Sequence, residues 1–252
     1  MKITVLGSGS AFSSPTRFNS CYVLEAAGEK FMIDCGSDAM KALQKGGVDL
    51  SSVRNIFITH MHADHAAGLP AVLTAMHVHG RRAPISVHIP FTQLDFAKTW
   101  LANMFIYDER LSFRISLEPL KPGVVRLGSP VELEFFNTRH LQKYEKYAAS
   151  FGIEPVSYSV IVREGEKVFF FSSDLASLDE VRGRLDGCVS LVEATHPNLD
   201  EVASLMTGGS GSVYFTHIPQ ELEEGGEWRA ELAARFGVKE FRSVSDGQVI
   251  EI

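Results

Sequence analysis

A run of β-branched and aromatic residues, Val53-Arg54-Asn55-Ile56-Phe57-Ile58-Thr59, leads without a break into His60-Met61-His62-Ala63-Asp64-His65. Four side chains able to bind metal therefore fall within six residues, directly after an apolar strand. This density constrains the fold more than any other feature of the chain. It calls for a strand end, a turn and a helix start to meet at one place. His60 and His62 can reach a common point from the turn, and Asp64 and His65 a second point from the start of the helix. Imidazole nitrogen and carboxylate oxygen suit Zn²⁺ and other borderline divalent ions. Two such ions, roughly 3.5–4 Å apart, clamp the attacking and leaving oxygens of a displacement.

Three further polar residues follow apolar strands in the same way. His140 comes after Phe135-Phe136-Asn137-Thr138-Arg139, Asp174 after Phe169-Phe170-Phe171-Ser172-Ser173, and His217 after Val213-Tyr214-Phe215-Thr216. Around them the pattern alternates short strands with helices. Strands are expected at 2–6, 21–26 and 30–34, with Gly28-Glu29 as a hairpin tip, then at 53–59 and 85–89. The second half adds strands at 131–137, 158–163, 167–172, 189–193 and 212–215. Helices are expected at 38–45, ended by Gly46-Gly47, and at 66–77, 92–105 and 226–236, with a final strand pair around Asp246-Gly247. A sheet core in two layers with helices outside fits this order better than one parallel sheet. The whole chain, 1–252, reads as a single domain. The aromatic-rich stretch Phe91–Leu120 is open to three uses: packing, a homodimer contact, or substrate contact.

Charge and cysteine content narrow the function. With 24 basic and 31 acidic residues the formal charge is −7. That argues against strong non-specific nucleic-acid binding, which needs a basic face. A small anionic substrate stays compatible, because bound metal reverses the local field. The opening Met1-Lys2-Ile3-Thr4-Val5-Leu6 is strand-like rather than an export signal, and no run approaches a membrane span. Three widely spaced cysteines, Cys21, Cys35 and Cys188, give no disulfide framework, and a cytoplasmic setting is expected.

The residues His60, His62, Asp64 and His65 form an intact His-x-His-x-Asp-His signature. With Leu6-Gly7-Ser8-Gly9-Ser10-Ala11, Asp34-Cys35-Gly36, Ser157-Tyr158, His140, Asp174 and His217, the chain resembles the metallo-β-lactamase superfamily, in its ribonuclease Z-like phosphodiesterase branch. The resemblance implies a four-layer αββα sandwich of the α/β class. It implies two divalent ions per chain, zinc first, with manganese or iron as alternatives. His60, His62 and His140 would bind one ion, Asp64, His65 and His217 the other, and Asp174 would bridge. Asp34 would hold the histidine loop without being a ligand.

The resemblance also has gaps. The tRNA-processing members carry a long arm between the positions matching His140 and Asp174. Here that interval is 174 − 140 = 34 residues. The usual His-Ser-Thr element after Glu-Ala-Thr is absent, and Glu193-Ala194-Thr195 runs on into His196-Pro197-Asn198. The expectation is therefore a dinuclear phosphodiesterase acting on a small or cyclic nucleotide-like substrate. Alternatives are hydrolysis of a lactone, thioester or sulfate ester, a nuclease, and a non-catalytic metal-binding protein. Asp64 and His196 are the candidate catalytic residues, His196 as general acid and Asp64 orienting the nucleophile. Arg17 and Arg139 are candidate phosphate contacts. Tyr144 and Tyr147 either stack on a substrate ring or pack the short insert onto the body.

Overall fold

The computed structural model describes residues 1–12, 14–127, 130–197, 212–220, 222 and 242–252. The first half contributes β1 (Lys2–Gly7), β2 (Cys21–Ala26), β3 (Glu29–Ile33), β4 (Val53–Phe57), β5 (Ile85–Pro90) and β6 (Ile115–Leu120). The second contributes β7 (Gly123–Arg126), β8 (Val131–Thr138), β9 (Ser157–Glu164), β10 (Lys167–Phe171), β11 (Val189–Glu193), β12 (Ser212–Thr216) and β13 (Val249–Glu251). One sheet has the order β13-β1-β2-β3-β4-β5-β6 and the other β12-β11-β10-β9-β8-β7. Both are mixed. Strands β3 to β6 run parallel, as do β10 to β12, and the remaining pairings are antiparallel.

Alternation along the strands builds the layers. Phe31 and Ile33 of β3 join Phe135, Val160, Phe169 and Phe171 in a core between the two sheets. Met32 points the other way, into a cluster shared with α1 (Ala39–Lys45), α3 (Leu69–Val78) and α4 (Leu94–Asn103). Phe170 likewise turns out of β10 to pack with Leu175, Leu178, Val181 and Leu185. The result is the αββα sandwich. Cys21, Cys35 and Cys188 are free and buried. Among the described residues no helix is long and apolar enough to cross a membrane.

Two local expectations change. Strands β6 and β7 take up residues that had no strand reading; in β6, Glu118 and Pro119 break the apolar pattern, and β7 is only four residues long. Proline is tolerated there since β6 is an edge strand. The final strand pair is instead one strand, β13, paired with β1, and Gly247 at φ 86° serves the turn before it. The helix expected at 226–236 lies outside the described residues. In the Phe91–Leu120 segment, Trp100 and Phe113 pack on the first core. Phe105 is exposed.

His88 on β5 gives the fold an acid-sensitive point. Its ring stacks on Phe57 at 4.1 Å and its Nε2 lies 3.0 Å from Asn55 Oδ1. Burial pushes its pKa down to about 4. An unfolded histidine titrates near 6.5, so between that pH and 4 the unfolded chain takes a proton that the folded one refuses. Stability is intact above pH 6.5 and falls as pH drops through that window, by about 3 kcal/mol in all. His88→Phe keeps the stacked ring and removes the titration. Urea unfolding at pH 7 and pH 4.5 is expected to show the wild type losing about 2–3 kcal/mol more than the variant. Equal losses would remove His88 from the acid limb.

Candidate metal centre

The chemistry-bearing residues gather at one edge, beyond the carboxyl ends of strands from both sheets. His60 follows β4, His140 follows β8, Asp174 follows β10 and His217 follows β12. Clefts outside the carboxyl ends of strands are the usual binding position in open α/β sheets. After His60 the backbone turns at His62 into the single-turn helix α2 (Ala63–Ala66), which presents Asp64 and His65 together. Glycine makes this turn fit. A Cβ on Gly36 would stand 2.3 Å from Asp64 O, and one on Gly68 2.1 Å from Gly36 O.

Asp34 ties the loop down from beneath. Its carboxylate accepts from Thr59 N at 2.8 Å and Thr59 Oγ1 at 2.9 Å, and lies 2.7 Å from His65 Nδ1. That contact leaves His65 Nε2 for the cleft. Ser173 Oγ donates to Thr59 Oγ1 at 2.8 Å, which joins the loop before Asp174 to the same network. Asp34, Ser173 and His217 all adopt left-handed backbone, at φ 61°, 49° and 53°. Each such residue costs on the order of 1–3 kcal/mol and persists where surrounding contacts over-determine it. Three of them beside one cluster mark an edge shaped for its side chains.

The structure brings two donor groups together, His60, His62, His140 and Asp174, and Asp64, His65, Asp174 and His217, with the atoms of each within 4.8 Å of one another. Asp174 belongs to both. Its Oδ1 lies 3.2 Å from His65 Nε2, and its Oδ2 3.5 Å from His140 Nε2 and 3.7 Å from His60 Nε2 and His217 Nε2. His62 Nδ1 and His140 Nε2 converge to 3.2 Å. His60 Nε2, His65 Nε2 and Asp174 Oδ1 are buried with no hydrogen-bond partner. Buried polar atoms without partners are rare in native folds, and divalent cations satisfy this set. Burial also drives the His60 pKa far down and that of His140 to about 3, so both rings offer lone pairs. For His65, burial acts downward, but Asp174 and Asp34 outweigh it and raise the pKa. Asp174 is held well below the usual carboxylate range, against its burial, by His217 and His65.

The donor groups open on a cleft of about 550 Å³, whose walls include Phe12, Lys143, Tyr144, Thr195 and His196. A family model described as "Anti-Pycsar protein Apyc1" matches residues 1–223 of this chain. The chain belongs to that family. Its fold is that of metallo-β-lactamase fold proteins, and its sequence is similar to proteins named Ribonuclease Z. It is 28% identical over 140 residues to Ribonuclease Z of Methanosarcina acetivorans, covering 56% of this chain and 45% of the relative. It is 38% identical over 100 residues to mouse Zinc phosphodiesterase ELAC protein 1, covering 38% of this chain and 28% of the relative. The chain thus spans less than half the length of these curated relatives. Among solved structures, the metallo-beta-lactamase fold protein YhfI from Bacillus subtilis aligns with TM-score 0.76 at 17% identity, covering 100% of this chain and 99% of that one.

In this member of the Apyc1 family, His196 lies on the cleft wall. Its Nδ1 is 2.9 Å from Glu193 Oε2 and 3.0 Å from Oε1. The Glu193 carboxylate also accepts from the backbone N–H of Leu175 at 2.7 Å, Thr195 at 3.1 Å and His196 at 3.0 Å. One buried carboxylate thereby joins the loop after Asp174 to the loop that carries His196. Burial lowers the His196 pKa, but the hydrogen bond and charge of Glu193 overcome this and raise it. Glu193 had no functional reading in the sequence, although the Glu-Ala-Thr stretch was visible. Only the backward fold of residues 194–196 over its side chain reveals the contact.

Neither arginine is among the residues that line the cleft. Arg17 is buried and its Nη1 donates to Ser8 Oγ and Val244 O, each at 2.6 Å. It braces the glycine turn after β1 rather than lining the cleft. Arg139 is half exposed, with its Nε 3.9 Å from Glu180 Oε1, and it also lies outside the cleft wall. Adjacency to His140 misled because both residues lie in the bend and turn after β8, where sequence spacing does not set side-chain direction. Among the described residues, Lys143 of the short insert does line the wall. His77 and His88 are engaged elsewhere, with Ser112 and Asn55.

Proposed function

We propose that this protein is a two-metal phosphodiesterase acting on a small or cyclic nucleotide-like phosphodiester. The observation that carries the reading is the pair of donor groups that share Asp174 at the foot of a cleft also lined by His196. His60, His62 and His140 would hold one divalent ion, Asp64, His65 and His217 the other, and Asp174 both. Bound there, two such ions lower the pKa of water toward neutrality and offset charge on a phosphoryl group.

The chain's own groups do the rest. Asp64, 6% exposed at the start of α2, reaches the cleft wall and orients the attacking water. Glu193 holds His196 Nδ1, which leaves Nε2 to deliver a proton to the departing oxygen. The raised His196 pKa favours a ring that carries this proton near neutral pH. His196, Glu193 and Asp174 also form a loose donor trio, but there Nδ1 and the carboxylate are already joined by hydrogen bonds. That favours a proton donor over a further metal site.

Phosphodiester chemistry is preferred over lactone, thioester or sulfate ester hydrolysis because a curated relative is named Zinc phosphodiesterase. Relatives named Ribonuclease Z make pre-tRNA the second reading. Against it stand a charge of −7 and an insert after His140 made only of a 3₁₀ turn (Gln142–Tyr144), α5 (Glu145–Ala148) and a 3₁₀ turn (Ala149–Phe151). A cleft near 550 Å³ suits a small molecule.

The test is a substrate panel with the full chain, loaded with Zn²⁺ or Mn²⁺. It comprises cyclic mononucleotides, bis(nitrophenyl) phosphate, a nitrophenyl sulfate, a lactone, a thioester and a 3′-extended pre-tRNA. The phosphodiesters are expected to turn over and the pre-tRNA to remain intact. Accurate removal of the 3′ extension, faster than any small phosphodiester is cleaved, would overturn the substrate assignment. Preference for a lactone, thioester or sulfate would overturn the reaction class.

A further inference from the structure

Two exposed aromatic rings flank the candidate centre without a packing role that explains them. Tyr144 is 40% exposed and Phe12 72% exposed, and both line the cleft. They come from different sheets, Phe12 from the loop after β1 and Tyr144 from the insert after β8. The Tyr144 ring stands edge-on to His62 with centroids 5.6 Å apart, beside one of the two donor groups. Lys143 lies on the same rim, its Nζ 5.2 Å from the Tyr144 centroid. Among the described residues no carboxylate forms an ion pair with it. Tyr147 and Phe151 of the same insert are also exposed, yet they do not line the cleft.

We propose that Tyr144 is the specificity-determining residue of the site, stacking on a nucleobase with Phe12 as a second apolar contact, while Lys143 draws the attached phosphodiester toward Asp174. This rests on the phosphodiesterase reading above and adds the part of the substrate that the metal cluster does not touch. An aromatic face accepts any base, because every base has a π-face, so the clamp selects ring-bearing phosphodiesters without choosing among bases. Lys143 acts as a point charge on a flexible stem, suited to attracting a phosphate without fixing its orientation. It supplies the role expected of Arg17 and Arg139, both of which are bound elsewhere.

The test compares a 3′,5′-cyclic mononucleotide with the cyclic phosphate of methyl riboside, which keeps the scissile bond and lacks the base. Tyr144→Leu is expected to raise KM for the nucleotide about 10-fold, within the range of one lost base stack, with kcat little changed. The base-less substrate should show no comparable rise. Tyr144→Phe keeps the ring and should recover the KM. Lys143→Met should raise KM for both substrates and flatten their salt dependence. Equal losses of kcat on both substrates with Tyr144→Leu would overturn the proposal and make Tyr144 a support for His62. No change on either would overturn it as well. If the wild type cleaves neither compound, the hydrolytic reading fails on its own. Calorimetric binding of a nucleoside 5′-monophosphate then decides the stacking, since Tyr144→Leu must weaken it about 10-fold, and equal affinity overturns the clamp.

Discussion

Asp174→Asn is expected to lose both divalent ions and to lower phosphodiester turnover by at least about 10³-fold, the scale on which removing one charge-stabilising group already acts. The reason is geometric. Asp174 is the one residue common to both donor groups, with Oδ1 toward His65 and Oδ2 toward His60, His140 and His217. A carboxylate gives each neighbouring cation an anionic oxygen and screens the two from each other, whereas an amide offers one neutral oxygen. His217→Ala removes a ligand from one group only, so it should spare the ion held by His60, His62 and His140. The substitution at Asp174 should leave the fold standing. The backbone contacts of that loop, Thr138 Oγ1 to Asp174 O at 2.9 Å and Leu175 N to Glu193 Oε1 at 2.7 Å, do not involve the altered side chain. Elemental analysis after desalting, with circular dichroism as the folding check, measures the effect. Two ions retained per chain in Asp174→Asn would rule out a shared carboxylate.

The parts of this site legible in the sequence are those where secondary structure alone sets direction. A polar residue placed directly after an apolar strand has one place to go, the strand's open end, and His60, His140, Asp174 and His217 all obey that rule. The strand at 167–172 was likewise readable, and strand geometry then sends Phe169 and Phe171 to one core and Phe170 to another. What stayed hidden depends on chain reversal. Glu193 becomes a partner of His196 because three residues fold back over its own carboxylate. The contacts of Arg17 were not legible because one of its partners, Val244 O, lies 227 residues along the chain. Lys143 sits in a single 3₁₀ turn and Phe12 on a loop, both too short for periodicity to announce which way a side chain turns. Edge strand β6 was obscured by Pro119, which only an unpaired edge accommodates.

His196→Ala should separate substrates by their leaving groups. His196 lines the cleft with its ring centroid 4.5 Å from that of His140 and its Nδ1 3.8 Å from Asp174 Oδ2, close to the donor groups but committed to Glu193. Removing the ring therefore leaves the seven residues of the two groups in place. A nucleoside or alkyl leaving oxygen departs as a strongly basic alkoxide unless it is protonated. Loss of a general acid costs such a substrate about 10²–10⁴-fold in kcat, or roughly 3–5 kcal/mol of transition-state stabilisation. Nitrophenolate is a weak base and leaves without help, so the same variant should cleave a nitrophenyl phosphodiester at close to the wild-type rate. The measurement is kcat for both substrates in both proteins at matched metal occupancy. Glu193→Gln should shift the nucleotide ester in the same direction by a smaller factor, because a neutral amide holds Nδ1 but no longer favours the protonated ring. Equal losses on both esters in His196→Ala would mean that the imidazole supports the cleft as a whole. Unchanged rates on both would leave its contact with Glu193 as a loop anchor, and the proton would have to reach the leaving oxygen from another group on the same wall.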